Sequence, residues 1–191
     1  MTPRAARLAP DQRRDALIGA TLPLLLEHGR TVTTKQIAQA AGVAEGTIFG
    51  VFESKDDLIL SAVERGLDIE PFLADLQAID RNQGLRERLL DLTERLQARF
   101  QGIFTLMTAM GMVGPPRSHV HMAEGRQWAE AIMVTLVEPD AASLTVPPEQ
   151  LVHMLRLLTF SGTHPHVSEG RQLTPDQIVA VILDGVLKKE D

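Results

Sequence analysis

Two pairs of histidines have a spacing that could bring two imidazoles to one metal ion. His119 and His121 lie in the segment SHVHM, and His164 and His166 lie in THPHV. Imidazole is a common metal ligand, but residues two apart on a helix point to different faces. No cysteine or evident carboxylate completes either set. We therefore favour ordinary loop histidines and predict no metal site, although these side chains could contact a ligand or respond to mild acid.

No residues form a pattern typical of an enzyme. The chain of 191 residues contains no cysteine, which excludes disulfides, thiolate metal sites and cysteine nucleophiles. No nucleophile paired with a base, pair of carboxylates or phosphate-binding glycine loop is recognisable. Serine, histidine and aspartate residues could still converge in space, so an enzyme is kept as a disfavoured alternative, and no cofactor is predicted.

The charge distribution restricts where nucleic acid could bind. The formal net charge is -6, which argues against a nucleic-acid-binding surface over the whole chain. Residues 1–55, however, carry seven Lys and Arg against five Asp and Glu, about +2, whereas the remainder carries twelve against twenty, about -8. Any contact with DNA is therefore expected in the N-terminal part.

The hydrophobic residues are numerous enough to form a core but are not gathered into a membrane segment. They make up 44% of the chain, and no apolar run is long enough to span a bilayer or resembles a secretory signal. We expect a soluble cytoplasmic protein with no membrane partner.

The segment TVTTKQIAQAAGVAEGTIFGVF, residues 31–52, predicts two short helices packed at a steep angle. Thr33 or Thr34 is a suitable N-cap for a helix through Ala41, and the second helix is expected from about Glu45 to Val51. Such packing requires a small residue at the close approach, a glycine in the turn and apolar residues at the contact, and these are Ala38, Gly42, Ile37, Val43 and Ile48. The segment is therefore a candidate helix-turn-helix.

Amphipathic helices are predicted along the rest of the chain, because apolar residues recur at three- and four-residue spacing. The first begins near Pro10 and ends at Gly29, and Ser54 caps a longer helix for which Pro71 marks the end or a kink. The remaining helices are expected at residues 85–113, 118–138, 148–162 and 175–188. An all-α fold follows from this pattern.

From Thr33 to Val63 the chain closely resembles the signature of the TetR family of transcriptional regulators. A threonine pair, I-A, A-G-V, G-T, an aromatic residue, F-x-S-K and D-L occur in this order and spacing. The resemblance implies a three-helix DNA-binding head at residues 1–54 and a helical domain for effector binding and dimerisation at residues 55–191. It also implies a homodimer whose recognition helices enter successive major grooves of double-stranded operator DNA. Binding of a small molecule to the C-terminal domain would release the repressor.

The same resemblance assigns DNA contacts residue by residue. Thr33 or Thr34 would cap the first helix and touch phosphate, and Lys35 would add charge at the backbone. Phe49 stands where the family usually has a tyrosine, so the hydroxyl contact to phosphate is lost. The remaining contacts implied are Gly46 and Thr47 at the start of the recognition helix and Lys55 at the start of the next helix, where amides also favour an anion.

Three residues depart from the family pattern: Glu45, Gly50 and Val51. A carboxylate can accept a hydrogen bond from a cytosine amino group, but near phosphates it is more often unfavourable. We favour the interpretation that Glu45 is a helix N-terminal charge that merely tolerates DNA. These departures, with the acidic net charge, keep open a second alternative, a helical interaction module that has lost operator binding.

Arginines near the N-terminus could compensate for these departures. Arg4, Arg7, Arg13 and Arg14 could form a flexible arm that reaches the DNA backbone or minor groove. An ordinary basic tail is an equally good interpretation.

A segment without any charged residue runs from Gly102 to Pro116, which predicts burial. Flexible thioethers and aromatic rings suit an apolar cavity that accepts ligands of varied shape. The candidate lining residues for a small hydrophobic effector are Phe100, Phe104, Met107, Met110, Trp128 and Met133. Ordinary core packing explains the same pattern about equally well.

The last two predicted helices are apolar on more than one face. One face could cover the core while another meets a second copy of the chain, and the resemblance favours such a four-helix dimer interface over a central helix in a monomer. The candidate interface residues are Leu151, Leu155, Leu158, Val179, Ile182 and Val186.

Overall fold

The computed structural model describes residues 9–112 and 121–187, apart from the side chains of residues 121–123. Within these ranges the structure contains helices and no strand, which confirms the all-α prediction. The α-helices are α1 (Pro10–His28), α2 (Thr34–Ala40), α3 (Lys55–Leu67), α4 (Glu70–Gln77), α5 (Leu85–Ala109), α6 (His121–Val137), α7 (Pro148–Thr163) and α8 (Pro175–Val186). Three 3₁₀ helices cover Gly29–Thr31, Glu45–Gly50 and Glu138–Ser143. None of the described helices combines the length and apolarity that crossing a bilayer would require.

The chain divides into two compact units. The N-terminal unit comprises the described parts of Met1–Asp68 and Thr105–Pro115, and the C-terminal unit comprises those of Ile69–Phe104 and Pro116–Asp191. The N-terminal unit therefore contains α3 as well as the segment expected to carry DNA binding, residues 1–54. The assignment of DNA binding to that segment remains a prediction.

The N-terminal unit is a small helical core around α1. Leu17 and Leu25 of α1 are fully buried, as are Ile37 of α2, Ile48 of the following 3₁₀ helix and Leu58 of α3. Burial of large aliphatic side chains from each of these helices supplies the main stabilisation of so small a unit.

The end of α1 requires glycine at residue 29. Gly29 has φ +57, and a Cβ at this position would lie 2.4 Å from the carbonyl oxygen of Ala109. Both the left-handed backbone and the close approach exclude a larger residue. The predicted helix end at Gly29 thus coincides with a contact that the sequence did not indicate.

The C-terminal unit has a core made by α4 to α8. Leu89 and Leu92 of α5, Leu136 of α6, Leu155 of α7 and Ile178 of α8 are all buried in one apolar cluster. These residues belong to the apolar stripes that the three- and four-residue spacing of the sequence predicted.

Two predicted helix boundaries were wrong. Pro71 does not end or kink a helix but lies in the first turn of α4, where its missing N–H is tolerated. The long helix α5 ends at Ala109 rather than at residue 113. There Gly111 has φ +60, and the Met112 N–H donates to the Met107 carbonyl at 2.9 Å, so a glycine-based Schellman motif closes the helix.

Candidate nucleic-acid interface

The first helix of the candidate motif, α2, begins with a capping box. The Thr33 hydroxyl accepts a hydrogen bond from the Gln36 N–H at 3.2 Å, and the Thr33 N–H donates to Gln36 Oε1 at 2.8 Å. The N-cap is thus Thr33, whereas Thr34 is the first residue of the helix. This arrangement satisfies two donors that a helix end otherwise leaves unpaired.

The turn after α2 is closed by Gly42. Gly42 has φ +67, the Val43 N–H donates to the Ala38 carbonyl at 3.0 Å, and the Gly42 N–H donates to the Gln39 carbonyl at 3.2 Å. These are the two hydrogen bonds of a Schellman motif. With Ile37, Ala38 and Ile48 buried, the turn holds the next element at a defined angle.

The second element of the motif, Glu45–Gly50, is a 3₁₀ helix rather than an α-helix, and we call it the recognition turn. Glycines at both 46 and 50 disfavour an α-helix, and 3₁₀ geometry is usual in pieces this short. A Cβ at either glycine would meet no atom within 4 Å, so this stretch of backbone is open. Phe49 is 58% exposed beside them. The recognition turn therefore presents bare backbone, one aromatic ring and the exposed side chain of Glu45.

A hydrogen bond ties α2 to the recognition turn. The Thr34 hydroxyl donates to Oε1 of Glu45, the first residue of the turn. The link joins the two elements of the motif through their own side chains, and it engages the Thr34 hydroxyl within the protein.

Lys55, the first residue of α3, is also engaged within the protein. Its ammonium donates to the Val32 carbonyl at 2.9 Å and reaches the Arg30 carbonyl at 3.5 Å, and the side chain is half-buried. Ser54 caps the same helix by accepting from the Asp57 N–H at 3.1 Å. One ammonium proton of Lys55 remains for another acceptor.

The predicted arginine arm is only partly described. Arg4 and Arg7 lie outside the described residues. The guanidinium of Arg14 lies 4.3 Å from the centre of the Phe52 ring, and its Nη2 donates to the Ser61 hydroxyl at 3.0 Å. Arg14 is thus a contact between α1 and α3 rather than part of a free arm.

The exposed basic and hydroxyl groups of the motif are few. Lys35 and Thr33 are exposed and Thr47 is half-exposed, with the Thr47 N–H donating to the Ala44 carbonyl at 2.8 Å. Of the cations that the resemblance implied, Lys35 is the one that makes no hydrogen bond or ion pair with another described residue. A phosphate contact from this surface would therefore rest mainly on Lys35, the hydroxyls of Thr33 and Thr47, and open backbone.

The predicted effector residues are divided between the two compact units. Phe100 and Phe104 are half-buried on α5, whereas Trp128 is 58% exposed on α6 and Met133 packs in the core of the C-terminal unit. Met107 and Met110 belong to the N-terminal unit. The exposure of Trp128 corrects the expectation that this ring lines a buried cavity, because a helical pattern alone did not identify its face.

Phe100 and Phe104 form an aromatic cluster with two residues that the sequence analysis did not associate with them. Their rings are 6.1 Å apart and stacked, and Phe160 of α7 meets them edge-on at 5.3 and 5.1 Å. The His164 ring lies 4.5 Å from Phe104. Aromatic residues brought together from α5 and α7 are more than 50 positions apart in sequence, so no local signal could have joined them.

An open cleft of about 510 Å³ lies between α4 and α5. Charged groups from both helices border it, and none of the predicted effector residues does. The Nε of Arg95 is buried there without a hydrogen-bond partner in the described structure. The lining residues are Pro71, Phe72, Asp75, Asp91, Glu94, Arg95, Ala98 and Arg99.

Among the described residues, no group of three or more potential metal ligands gathers around His164 and His166. His164 Nδ1 accepts from the His166 N–H at 3.3 Å, and the two rings are 5.8 Å apart. His119 and the side chain of His121 lie outside the described residues.

The interface residues chosen from the sequence mostly face inward. Leu158 is half-buried, and the others are buried in the core of their own chain: Leu151, Leu155, Val179, Ile182 and Val186. These five side chains have almost no exposure in the single chain, so the structure does not support them as contacts with a partner. The dimer interface itself remains a prediction. The exposed apolar residues of the same two helices and the residue after α8 are Leu157, Phe160, Val181 and Leu187.

Comparison with known proteins finds a family match within the N-terminal part of the chain. Residues 17–62, which include the whole of α2, the recognition turn and most of α3, match the family model described as bacterial regulatory proteins, tetR family.

Solved structures share the fold of the chain. A TetR-family transcriptional regulator from Vibrio parahaemolyticus is 17% identical with a TM-score of 0.61, over 93% of this chain and all of that one. NemR of E. coli in its reduced form is 19% identical with a TM-score of 0.62, over 93% of this chain and 99% of that one. SmeT, the repressor of the Stenotrophomonas maltophilia multidrug efflux pump SmeDEF, is 21% identical with a TM-score of 0.58, over 92% of this chain and 91% of that one. At these identities the likeness shows the fold.

Proposed function

Because the helix-turn-helix domain of this chain is that of the tetR family of bacterial regulatory proteins, we propose that the protein is a transcriptional repressor. It binds operator DNA as a homodimer in the cytoplasm and is released by a small apolar ligand. The observation that carries the proposal is the motif itself, in which a capped α2, the Gly42 turn and an exposed recognition turn are held at a defined angle. Such a motif places the start of its second element against base edges in the major groove.

Contacts to the DNA backbone come from the exposed groups of this surface. Lys35 supplies positive charge, and Thr33, Thr47 and the open backbone at Gly46 and Gly50 supply short polar contacts to phosphate oxygens. Lys55 contributes its remaining ammonium proton, and Phe49 offers an apolar contact such as a thymine methyl group accepts. Arg4 and Arg7 are proposed to reach the DNA from the N-terminal segment.

A salt series on DNA from the region upstream of the coding sequence tests this proposal. Saturable binding is expected, and Lys35→Ala should weaken it and reduce the slope of log affinity against log salt by about 1, since one phosphate contact is lost. Thr47→Ala should weaken binding at every salt concentration.

The matched control is Arg171→Ala. Arg171 is 87% exposed in the C-terminal unit, in a weak 3.6 Å ion pair with Glu169, and its loss changes the net charge by the same amount as loss of Lys35. If Lys35→Ala and Arg171→Ala weakened DNA binding equally, the proposal that DNA binds at the surface of the helix-turn-helix would be contradicted. Absence of binding to any genomic fragment would favour the interaction-module alternative.

The proposed effector site is the aromatic cluster of Phe100, Phe104, Phe160 and His164. Phe100 and Phe104 are half-buried, and the more exposed Phe160 meets both edge-on, an arrangement that suits an apolar ligand better than the charged lining of the α4–α5 cleft does. One of the fold neighbours is a SmeT–triclosan complex, 19% identical with a TM-score of 0.58, which supports the proposal that this fold binds a small molecule. Phe104 is the last residue of the first segment of the C-terminal unit, and the following residues of α5 belong to the N-terminal unit. A ligand that moves this helix would alter the spacing of the two DNA-binding heads in the dimer.

Loss of operator affinity on adding triclosan provides a first test of the effector site. Wild-type protein should release the DNA, and Phe104→Leu should raise the triclosan concentration required by roughly fivefold, because ring contacts worth about 1 kcal/mol are removed. Trp128→Leu, which changes an exposed aromatic residue of the same unit, is the control and should leave the release curve unchanged. Equal shifts in both variants would argue against a site at the cluster.

A further inference from the structure

Glu45 carries the one side chain of the recognition turn that is both charged and held in place. It is exposed at the first residue of the turn, and its Oε1 accepts the Thr34 hydroxyl. The second oxygen, Oε2, has no partner among the described residues, and no cation there pairs with the carboxylate. The carboxylate is thus positioned by the protein and has an unused acceptor.

An uncompensated negative charge on this surface is unfavourable for DNA affinity unless it makes a specific contact. Coulomb repulsion from phosphates acts on Glu45 whatever the base sequence. In the major groove, however, the cytosine amino group is a donor with no acceptor of the same base beside it, so a carboxylate can bind it without repulsion from that base. Guanine O6 and N7 and thymine O4 are acceptors that repel a carboxylate, and the adenine amino group lies next to the acceptor N7, which makes adenine a poorer partner than cytosine. A fixed carboxylate therefore discriminates between bases by attraction to one and repulsion from others.

We infer that Glu45 is a specificity-determining residue that reads the amino group of a cytosine at one position of each operator half-site. Thr34 is the positioning residue for Glu45, because the Thr34 hydroxyl holds Oε1 of the carboxylate and leaves Oε2 to face the major groove of the DNA. Gly46, the next residue, carries no side chain that could cover the carboxylate. The inference rests on the proposed operator binding and specifies which base the recognition turn selects.

Selection of bound sequences from a random DNA library tests this inference with four proteins. Wild type should select a cytosine at one position in each half-site, preferred by about tenfold over the other bases, as for a single good base contact. Glu45→Gln keeps an oxygen to accept from Thr34, but the group left to face the groove is then an amide NH2, which donates and cannot accept from cytosine. The cytosine preference at that one position should be lost, in favour of a base that presents acceptors there.

Two further variants separate base reading from structural and electrostatic effects. Thr34→Val removes the hydroxyl with little change in shape, and the cytosine preference should fall several-fold while the other positions are unchanged. Glu53→Gln removes another exposed carboxylate of the same unit and should raise affinity for all sequences alike without changing any base preference.

The outcomes distinguish this inference from the proposed function. Unchanged base preferences in a DNA-binding Glu45→Gln protein, or a uniform gain in affinity like that of Glu53→Gln, would overturn the reading of cytosine while leaving operator binding intact. If wild type selects no sequence at all, the proposed function itself fails, and the inference fails with it.

Discussion

Arg88 shows how a single residue organises the C-terminal unit. Its side chain is 5% exposed, its Nε donates to the Leu136 carbonyl at 2.8 Å, and its guanidinium pairs with Asp140. It also donates to the carbonyls of Arg81 and Gln83 in the segment before α5. The Arg88 guanidinium thus donates to a carbonyl at the end of α6. It also joins this end to the segment before α5 and to the 3₁₀ helix that holds Asp140.

Removal of Arg88 should be costly for stability. Arg88→Ala leaves several carbonyls and the Asp140 carboxylate without their donor, and we expect a loss of about 3 kcal/mol in the free energy of unfolding. Urea unfolding followed by circular dichroism measures it. Arg86→Ala is the control, because its ion pair with Asp176 at 3.2 Å is solvent-exposed and should contribute within about 1 kcal/mol. If both variants lost a similar amount of free energy of unfolding, the organising role of Arg88 would be contradicted.

At this scale the sequence identified residues whose role is local and missed those whose partners are distant. Thr33 as an N-cap and Gly42 as a turn residue depend on neighbours within a few positions, and both were predicted. Arg88 looks like any other arginine of an amphipathic helix, since Leu136 and Asp140 lie about fifty positions away. The same reason explains why Lys55 and Thr34 were expected at phosphate, although the structure engages both within the N-terminal unit.

At the scale of helices, the sequence predicted which segments are helical better than it predicted which side of each helix faces the core. The three- and four-residue spacing indicated helices, but two adjacent apolar stripes on α7 or α8 do not reveal which one the core takes. In the structure, one stripe packs inward, and Leu157 and Val181 remain 49% and 63% exposed on the other. We therefore still propose α7 and α8 for the dimer contact. The residues proposed to form it now lie on the exposed stripe of each helix, part of a turn away from those chosen from the sequence.

A substitution on this outer face should prevent dimerisation. Val181→Asp places a charge at the centre of the exposed stripe of α8, and we expect the dimer dissociation constant to rise by roughly 30-fold or more. Light scattering across a dilution series measures the molar mass, and circular dichroism checks that the helices persist.

Leu26→Asp provides the comparison for this experiment, since Leu26 is an exposed leucine of α1 in the other unit. It should leave the molar mass unchanged. A Val181→Asp protein that dimerises as tightly as wild type would remove α8 from the proposed interface.

At the scale of the whole molecule, function depends on one short segment with strong local constraints. The helix-turn-helix could be read from sequence because its cap, turn and contact residues lie within 22 positions, 31–52. The effector site could not, because the rings of α5 and α7 meet only through tertiary packing. An acidic chain with a nearly neutral DNA-binding segment also implies that operator affinity relies on specific contacts more than on net charge.

The measurement that tests the central claim most directly is a hydroxyl-radical footprint of the wild-type protein on a DNA fragment recovered by selection. The account predicts two protected segments related by a two-fold axis, with their centres about 10 base pairs or a multiple of that apart, since each copy of the recognition turn would enter one major groove. Lys35→Ala should need more protein to give the same pattern. Uniform protection that follows protein concentration without discrete segments, or no protection at saturation, would contradict sequence-specific binding by this motif.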